Sequence, residues 1–508
     1  MPSLRKKVAG FIRQLSVNNQ NENVDQIDSS GPSSGCFIQR YLSGHDVRQT
    51  EPVILHGQNP HELPRKNVGT IVLDNQFAAV TGPDGGLTTV NRRQRHLSTS
   101  DPDVDYIDIQ QHVTDPERNN TVAGVLDWSR PHCRAYGAAT TLYERHPITK
   151  QHAGSPIADC FAVVARTNSA ILALADGVNW GEKACIAARS AVHGCVDYLN
   201  KAVFTSGNIA NTTDVFVSLL RSFHAAHSLI LQEAGMLTTL TAALVLPLAD
   251  SDRFVACICN VGDSLSYVYS AQHGVREITK GSHDIHCMRD MRDALGALGP
   301  VDGQNPELNN LTCSMTEVEP GDIVFITSDG VSDNFDPVVG KFAVLPPSDN
   351  VNLKVHSGTG KMSSATSNYG TSKSPGGDIP SSSSLPTVQA YQRHELSLLR
   401  MDDLLKNGVS GNGPPCQDAK TLCEMLLDFA TRLTAAKRHI LEDPDLYYTT
   451  VEGSTELTEL SRAEQRSRRR KVCEKLAMVP GKLDHATVVA YQVVIAIQIS
   501  ESPTKLFS

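Results

Sequence analysis

Ile171-Leu-Ala-Leu-Ala-Asp176-Gly177 and Ile323-Val-Phe-Ile-Thr-Ser-Asp329-Gly330 share one pattern, an apolar run of strand length that ends in Asp-Gly. Such a strand delivers a carboxylate to the edge of a sheet. The glycine behind it lets the chain turn tightly and leaves its carbonyl accessible. Taken alone, either Asp-Gly pair is an ordinary turn. Other acids stand at similar places. Asp159 comes just before the strand expected at Phe161. Asp263 lies in a Gly-Asp-Ser turn after the strand expected over Phe254–Asn260. Asp484 directly precedes the last expected strand, Ala486–Ile495. Five aspartates at strand termini, with no His/Cys cluster among them, point to hard cations, because Mg²⁺ and Mn²⁺ prefer oxygen ligands in octahedral geometry. Two such ions ~4 Å apart share a water, lower its pKa and give a nucleophile for in-line attack on phosphorus.

Strands and helices alternate around these acids from about Pro131. Phe161–Arg166 and Ala170–Ala175 read as two strands joined by Thr167-Asn-Ser169. Ala184, Ala188, Ala191, Val192, Cys195 and Leu199 mark one helix face. Phe216, Leu219, Leu220, Phe223 and Ile230 mark a second, with Asn211, Thr212, Thr213 and Asp214 offering caps. Leu240–Leu246, Phe254–Asn260, Ser266–Tyr269 and Ile323–Thr327 follow as strands. A last helix stripe is Leu422, Met425, Leu426, Phe429 and Leu433.

The rest of the chain reads differently. At 508 residues it is long enough for about three domains, or for one large domain with disordered segments. Residues 18–130 are rich in Asn, Asp, Ser, Gln and Gly and read as mostly disordered, with Val68–Leu73 and Phe77–Val80 as short strands. Residues 341–417 read as a Ser/Gly/Pro-rich insertion that includes Ser381, Ser382, Ser383 and Ser384. A folded domain is therefore expected over 131–340 and 418–497, with 498–508 as a tail. The run Arg466, Arg468, Arg469, Arg470 and Lys471 reads as a solvated helix face or as a nuclear signal. No stretch approaches the ~18 apolar residues of a spanning helix. The net charge of −9 speaks against a dedicated nucleic-acid binder. Twelve cysteines without CxxC pairs read as free thiols of a reduced compartment, Cys257 and Cys259 sharing a strand face.

No secretory h-region opens the sequence, so an intracellular and mainly cytoplasmic location is expected. Over residues 1–17, Leu4, Val8, Phe11, Ile12 and Leu15 recur at helical spacing, with Arg5, Lys6, Lys7 and Arg13 between them. Three readings stand side by side. One is a basic amphipathic helix making peripheral membrane contact through residues 4–15. The others are a mitochondrial transit sequence and a tail with accidental periodicity.

Six segments occur in one recognisable order: Ser155-Pro-Ile-Ala-Asp159-Cys-Phe, Leu174-Ala-Asp176-Gly177, Thr238-Thr-Leu-Thr-Ala242, Asn260-Val-Gly-Asp263-Ser264, Pro320-Gly-Asp-Ile-Val-Phe-Ile-Thr-Ser-Asp329-Gly330-Val-Ser-Asp333 and Gly481-Lys-Leu-Asp484-His-Ala-Thr-Val-Val. Together they resemble the metal-dependent protein phosphatases of the PPM (phosphatase 2C) type over about 131–336 and 418–494. The resemblance implies an α+β fold, a four-layer α-β-β-α sandwich with a two-metal site for Mg²⁺ or Mn²⁺ at one sheet edge. It also implies a serine/threonine phosphatase acting as a monomer on phosphoproteins through a water that bridges the metals. On that reading Asp176 bridges the ions and Gly177 offers its carbonyl. Asp329 and Asp484 complete the core site, Asp159 holds a metal-bound water and Asp263 serves an additional metal.

The departures from the pattern are specific. The family's DGHGG becomes Asp176-Gly-Val178-Asn179-Trp180-Gly181, so Val178 stands where the general-acid histidine belongs. Gly154 stands near the place of the phosphate-binding arginine. Leu265 follows Gly-Asp-Ser in place of arginine, and His485 replaces the asparagine after Asp484. His485 is thus a candidate substitute proton donor. The losses give an alternative reading, a catalytically impaired pseudophosphatase serving as a binding or scaffolding module.

Overall fold

The computed structural model describes residues 37–44, 52–73, 76–90, 121–205, 209–286, 295–346, 385–450 and 457–494. In chain order its elements are α1 (Phe37–Leu42), β1 (Leu55–Gly57), β2 (Ala78–Gly82), β3 (Ser129–Arg130), β4 (Ala135–Thr141), β5 (Asp159–Arg166) and β6 (Ser169–Asp176). Next come α2 (Glu182–Phe204), α3 (Thr212–Gln232), β7 (Leu240–Pro247), β8 (Phe254–Val261), β9 (Leu265–Ser270), β10 (Gly274–Glu277), the hairpin β11 (Ala297–Asp302) and β12 (Asn305–Glu307), β13 (Thr312–Val318) and β14 (Ile323–Thr327). The chain continues through α4 (Asp329–Phe335), α5 (Ala390–Asn407), α6 (Ala419–Leu441), the hairpin β15 (Tyr448–Thr450) and β16 (Leu457–Glu459), α7 (Arg462–Lys471), α8 (Cys473–Met478) and β17 (His485–Gln492).

Two antiparallel sheets form the middle. One has eight strands in the order β1-β13-β8-β7-β6-β5-β2-β3. The other has five, in the order β10-β9-β14-β17-β4. Strand β6 shows why the apolar runs are continuous rather than alternating. Ile171 and Ala173 pack outward into a core shared with α2 and α3, through Ala187, Ala191, Phe216 and Phe223. Leu172 and Leu174 point the other way, to Val268, Val324, Ile326, Val489 and Tyr491 of the facing sheet. Both faces are buried, so both must be apolar. The outer face of the five-stranded sheet, with Tyr267, Phe325 and Val488, is covered by Leu396, Met401 and Leu405 of α5 and Leu422, Leu426, Phe429 and Leu433 of α6. The layers are therefore α-β-β-α, as expected. The helix starts follow the sequence as well. Asn211 and Asp214 form a capping box at α3, and Asp418 caps α6 through the Thr421 N–H. Cys257 and Cys259 lie in the same core layer. The ten cysteines among the described residues are free thiols.

Several expectations need correction. The folded domain does not begin near Pro131: β2 lies between β5 and β3, and β1 closes the far edge of the same sheet against β13. The short strand expected at Phe77–Val80 is β2, a member of the central sheet rather than part of a mostly disordered region, while the three-residue β1, paired with β13 far along the chain, carries no periodicity of its own. Val68 makes only an isolated bridge, to Leu248. The 341–417 region is not all insertion, since α5 buries Leu396, Met401, Leu404 and Leu405. Its stripe is interrupted by charge, including Arg400, whose guanidinium lies over the Phe342 ring at 4.0 Å. The last strand is His485–Gln492 rather than Ala486–Ile495. The basic run lies on α7, none of which is buried. Its Arg469 reaches the Glu144 carboxylate (3.0 Å) and the Tyr447 hydroxyl (2.7 Å). The N-terminal segment 1–17, the Ser381–Ser384 run and the 498–508 tail lie outside the described residues. Among the described residues no helix is long and apolar enough to cross a membrane.

Candidate metal centre

The five predicted aspartates come together at one end of the sandwich, where strands of both sheets stop. Asp159 begins β5 and Asp176 ends β6, and the two are direct cross-strand partners. Asp263 sits in the turn between β8 and β9. Asp329 opens α4 directly after β14, and Asp484 immediately precedes β17. The sheet pairings β5–β6 and β14–β17 thus bring together acids that lie far apart in sequence.

The backbone around Asp176 is held by hydroxyls. The Thr238 hydroxyl donates to the Asp176 carbonyl (2.8 Å). The Asp176 N–H donates to Thr239 Oγ1 (3.0 Å), which in turn meets Ser264 Oγ at 2.8 Å. This is the structural work of the Thr238-Thr-Leu-Thr segment. Gly177 is required sterically, because a Cβ there would stand 2.5 Å from the Ala184 carbonyl oxygen and 2.8 Å from that of Ala158.

The electrostatics identify what the cluster lacks. Burial, followed by the charges of Asp159, Asp329, Asp484 and Asp263, holds the Asp176 carboxyl well above the usual carboxylate range. Burial also pushes Asp159 up to about 6, against the pull of His485 and the Thr487 hydroxyl. Thr487 donates to Asp159 Oδ2 at 2.6 Å, while Asp159 Oδ1 is buried with no hydrogen-bond donor at bonding distance. A set of crowded carboxylates with an unserved buried oxygen fits a divalent cation. An all-oxygen donor set selects Mg²⁺ or Mn²⁺ over softer metals.

Sequence reasoning missed two residues here. The Lys482 ammonium bonds Asp329, lies 2.9 Å from Asp333 and lies 3.1 Å from Asp484. Burial works against its charge, but Asp333, Asp329 and Asp484 prevail and hold it protonated well above the ordinary lysine range. Asn334 fixes its backbone, accepting from the Lys482 N–H (2.8 Å) and donating to its carbonyl (3.0 Å). The second is Tyr143, whose hydroxyl donates to Asp484 (3.0 Å) and accepts from the Trp180 indole (2.9 Å). Burial and the Asp484 charge raise its pKa far above that of a free tyrosine. Lys482 lies two residues before Asp484, and that proximity was the signal available. Tyr143, in a loop far in sequence from Asp484, gave none.

The departures can now be placed. Val178 is half-buried beside Asp176 and donates its N–H to the Leu237 carbonyl (2.9 Å). Its side chain has no proton to give. Gly154 has φ +78°, and a Cβ there would come within 2.8 Å of the Tyr143 ring, so no arginine fits at that point. His485 is not placed as a proton donor. It is buried, its Nε2 donates to the Gly154 carbonyl (2.9 Å) and its Nδ1 accepts from the Ala158 N–H (3.3 Å). Both nitrogens are spent latching the loop before β5 onto the start of β17.

Comparison with known proteins gives the family. The pattern of the family described as protein phosphatase 2C matches residues 149–345. A Drosophila melanogaster protein named PP2C-like domain-containing protein CG9801 is 37% identical over an alignment 679 residues long that spans 97% of this chain and 96% of that one. Among solved structures, the catalytic domain of the serine threonine protein phosphatase PstP in complex with two manganese ions is 23% identical, covering 40% of this chain and 82% of its own, with a TM-score of 0.27. The S. agalactiae serine/threonine phosphatase is 15% identical, covering 39% and 81%, with a TM-score of 0.29. The assignment rests on the near full-length Drosophila relative and on the motifs in their places: the chain belongs to the protein phosphatase 2C family.

Proposed function

We propose that the chain is a metal-dependent phosphatase that hydrolyses phosphoserine and phosphothreonine monoesters of protein substrates. The observation that carries this reading is the convergence of Asp159, Asp176, Asp263, Asp329 and Asp484, with burial and mutual repulsion raising Asp176. Asp176, Asp329 and Asp484, with the Gly177 carbonyl, would hold two Mg²⁺ or Mn²⁺ ions; Asp159 would act through water and Asp263 at a third. Bound there, such ions act as Lewis acids toward water and phosphoryl oxygens. The protein's own part is positional. The Thr238, Thr239 and Ser264 hydroxyls fix the Asp176 backbone, and Tyr143 orients Asp484. Partly open to solvent, Asp176 and Asp484 leave the substrate a way in. With valine at 178, no side chain there protonates the departing alkoxide, a contribution worth ~10²–10⁴-fold where it exists. The test is Mn²⁺-dependent release of phosphate from a phosphothreonine peptide by the purified full chain, abolished in Asp329→Asn.

A second reading has its own observation. The Lys482 ammonium already pairs with Asp329, Asp333 and Asp484, and neither the histidine nor the arginine of the family is present. On this reading the domain is a pseudophosphatase that binds partners. Phosphopeptide binding without turnover, with or without Mn²⁺, would favour it.

A further inference from the structure

We propose that Glu277, His283 and His394 form a second cation site, selective for Zn²⁺ and separate from the aspartate cluster. Three different elements supply the residues. Glu277 ends β10, the edge strand of the five-stranded sheet. His283 directly follows the single turn Thr279–Ser282. His394 lies in the second turn of α5. Their ligand atoms all fall within 4.8 Å of one another.

The spacing is the argument. His283 Nε2 is 3.5 Å from Glu277 Oε1, and His394 Nδ1 is 3.5 Å from Glu277 Oε2. A charged N–H···O contact closes to about 2.7–2.9 Å. Four ligands at zinc bond lengths of about 2.0–2.1 Å, set at tetrahedral angles, stand roughly 3.3–3.4 Å apart. Each imidazole thus faces its own oxygen of the Glu277 carboxylate, at a separation closer to that of ligands placed around an ion than to that of a direct ion pair. The two imidazole rings, 5.8 Å apart between centroids, leave room for an ion between them.

The chemistry of the donors agrees. Two imidazoles and one carboxylate suit Zn²⁺, whereas the aspartate cluster offers only oxygen and suits Mg²⁺ or Mn²⁺. Donor type therefore sorts the two metals between the sites. The side chains are sheltered, at 12%, 13% and 3% exposure for His283, His394 and Glu277. An ion there ties the edge of the sheet and the turn after β10 to α5. Its role on this argument is structural.

The experiment uses the full chain, stripped with a chelator and titrated with Zn²⁺ and with Co²⁺ as a coloured probe. Wild type should retain one zinc equivalent that excess Mn²⁺ does not displace. Cobalt should give the visible absorption of a nitrogen-ligated, low-coordinate ion. His283→Ala and His394→Gln should each weaken zinc binding by at least ~100-fold, removal of a direct ligand exceeding the 10–100-fold typical of supporting residues. Asp176→Asn should leave this equivalent in place, which separates the test from the phosphatase reading. X-ray absorption at the zinc edge of wild type needs no variant and should show two imidazoles. An all-oxygen shell, no zinc retained by wild type, or unchanged affinity in the folded His283→Ala/His394→Gln double variant would each overturn the proposal.

Discussion

The Lys482 ammonium lies 3.1 Å from the Asp484 carboxylate, inside the acidic cluster that the phosphatase reading assigns to metal. It also bonds Asp329 and lies 2.9 Å from Asp333, so a single cation answers three carboxylates. A positive charge held there opposes the arrival of another. At ~4 Å and an effective dielectric of about 20, the repulsion of one unit charge is about 4 kcal/mol, doubled for a divalent ion before relaxation and screening. On the phosphatase reading the lysine is therefore both a counter-ion for the metal-free fold and a competitor of the metal.

Replacing it separates those roles. Lys482→Met should lower metal-free stability by about 3 kcal/mol, the usual cost of stranding one side of a buried ion pair. The same change should tighten Mn²⁺ binding by roughly 10- to 100-fold, the fraction of the repulsion that survives relaxation and screening. Calorimetric titration and thermal melts with and without Mn²⁺ read both effects. Unchanged Mn²⁺ affinity in a folded variant would show that the ammonium does not compete for the site.

Asp176→Asn should behave in the opposite way. Asp176 is the carboxylate most crowded by other acids, being raised by burial and then by four neighbouring aspartates. Removing its charge relieves that repulsion, so the metal-free variant should melt at or above the wild-type temperature. Mn²⁺ affinity should fall at least ~100-fold, since a neutral amide is a poor replacement for a carboxylate ligand of a hard cation. Wild-type affinity in this variant would remove the dinuclear-site assignment.

His227 sets a pH dependence away from the metal centre. On α3, its Nδ1 accepts from the Gly299 N–H (3.1 Å) and its Nε2 donates to the Gln304 carbonyl (2.8 Å), clamping the β11–β12 hairpin. Burial, opposed by the Gln304 carbonyl, lowers its pKa below the ordinary 6.5. The unfolded chain then binds the proton more readily than the folded one. The contribution is complete above 6.5 and is lost as pH falls from 6.5 through the folded value. Thermal midpoints measured between pH 7.5 and 5.5 should drop toward acid in wild type and drop less in His227→Gln. His56 and His132 are lowered as well, so the difference between the two proteins isolates the His227 share. Parallel curves would exclude it.

The sequence made the central strands and the five acids legible for one physical reason. Strands such as β6 are buried on both faces and read as unbroken apolar runs, and a carboxylate at the end of such a run stands out. Strand β1 was not legible, because its three residues gain their stability from β13, far along the chain. Strand β2 was legible only as the short run Phe77–Val80 and not as a member of the central sheet, where it pairs with β5. Helix α5 was hidden by the low-complexity stretch before it and by Arg400 within its buried face. At the centre itself, His485 read as chemistry but serves as a latch, since its hydrogen bonds go to Gly154 and Ala158. Tyr143 and Lys482 act through space, and their partners across the sandwich had to be placed before either could be recognised.

The valine at 178 makes the sharpest enzymatic test. The residue is half-buried, and Asn179 and Trp180 after it are exposed, so a larger polar side chain has solvent into which it can extend. Val178 uses its N–H to bond Leu237, an anchor that a side-chain replacement leaves intact. A nitrophenolate leaves without protonation, whereas a serine alkoxide needs a proton in the transition state. Wild type with Mn²⁺ should therefore hydrolyse p-nitrophenyl phosphate measurably and a phosphoserine peptide poorly. Val178→His should raise the peptide rate by ~10²-fold or more and the nitrophenyl rate little, with the gain confined to pH values at which the imidazole is protonated. Equal gains on both substrates would mean that the histidine improves binding or metal retention rather than protonation. Brisk peptide hydrolysis by wild type would mean that another group already supplies the proton. His485 is not the first residue to suspect, since both its nitrogens are committed; the Tyr143 hydroxyl, hydrogen-bonded to Asp484 at the cluster, would be tested by Tyr143→Phe. Silence on both substrates in both proteins, with Mn²⁺ bound, would leave the pseudophosphatase as the reading that fits.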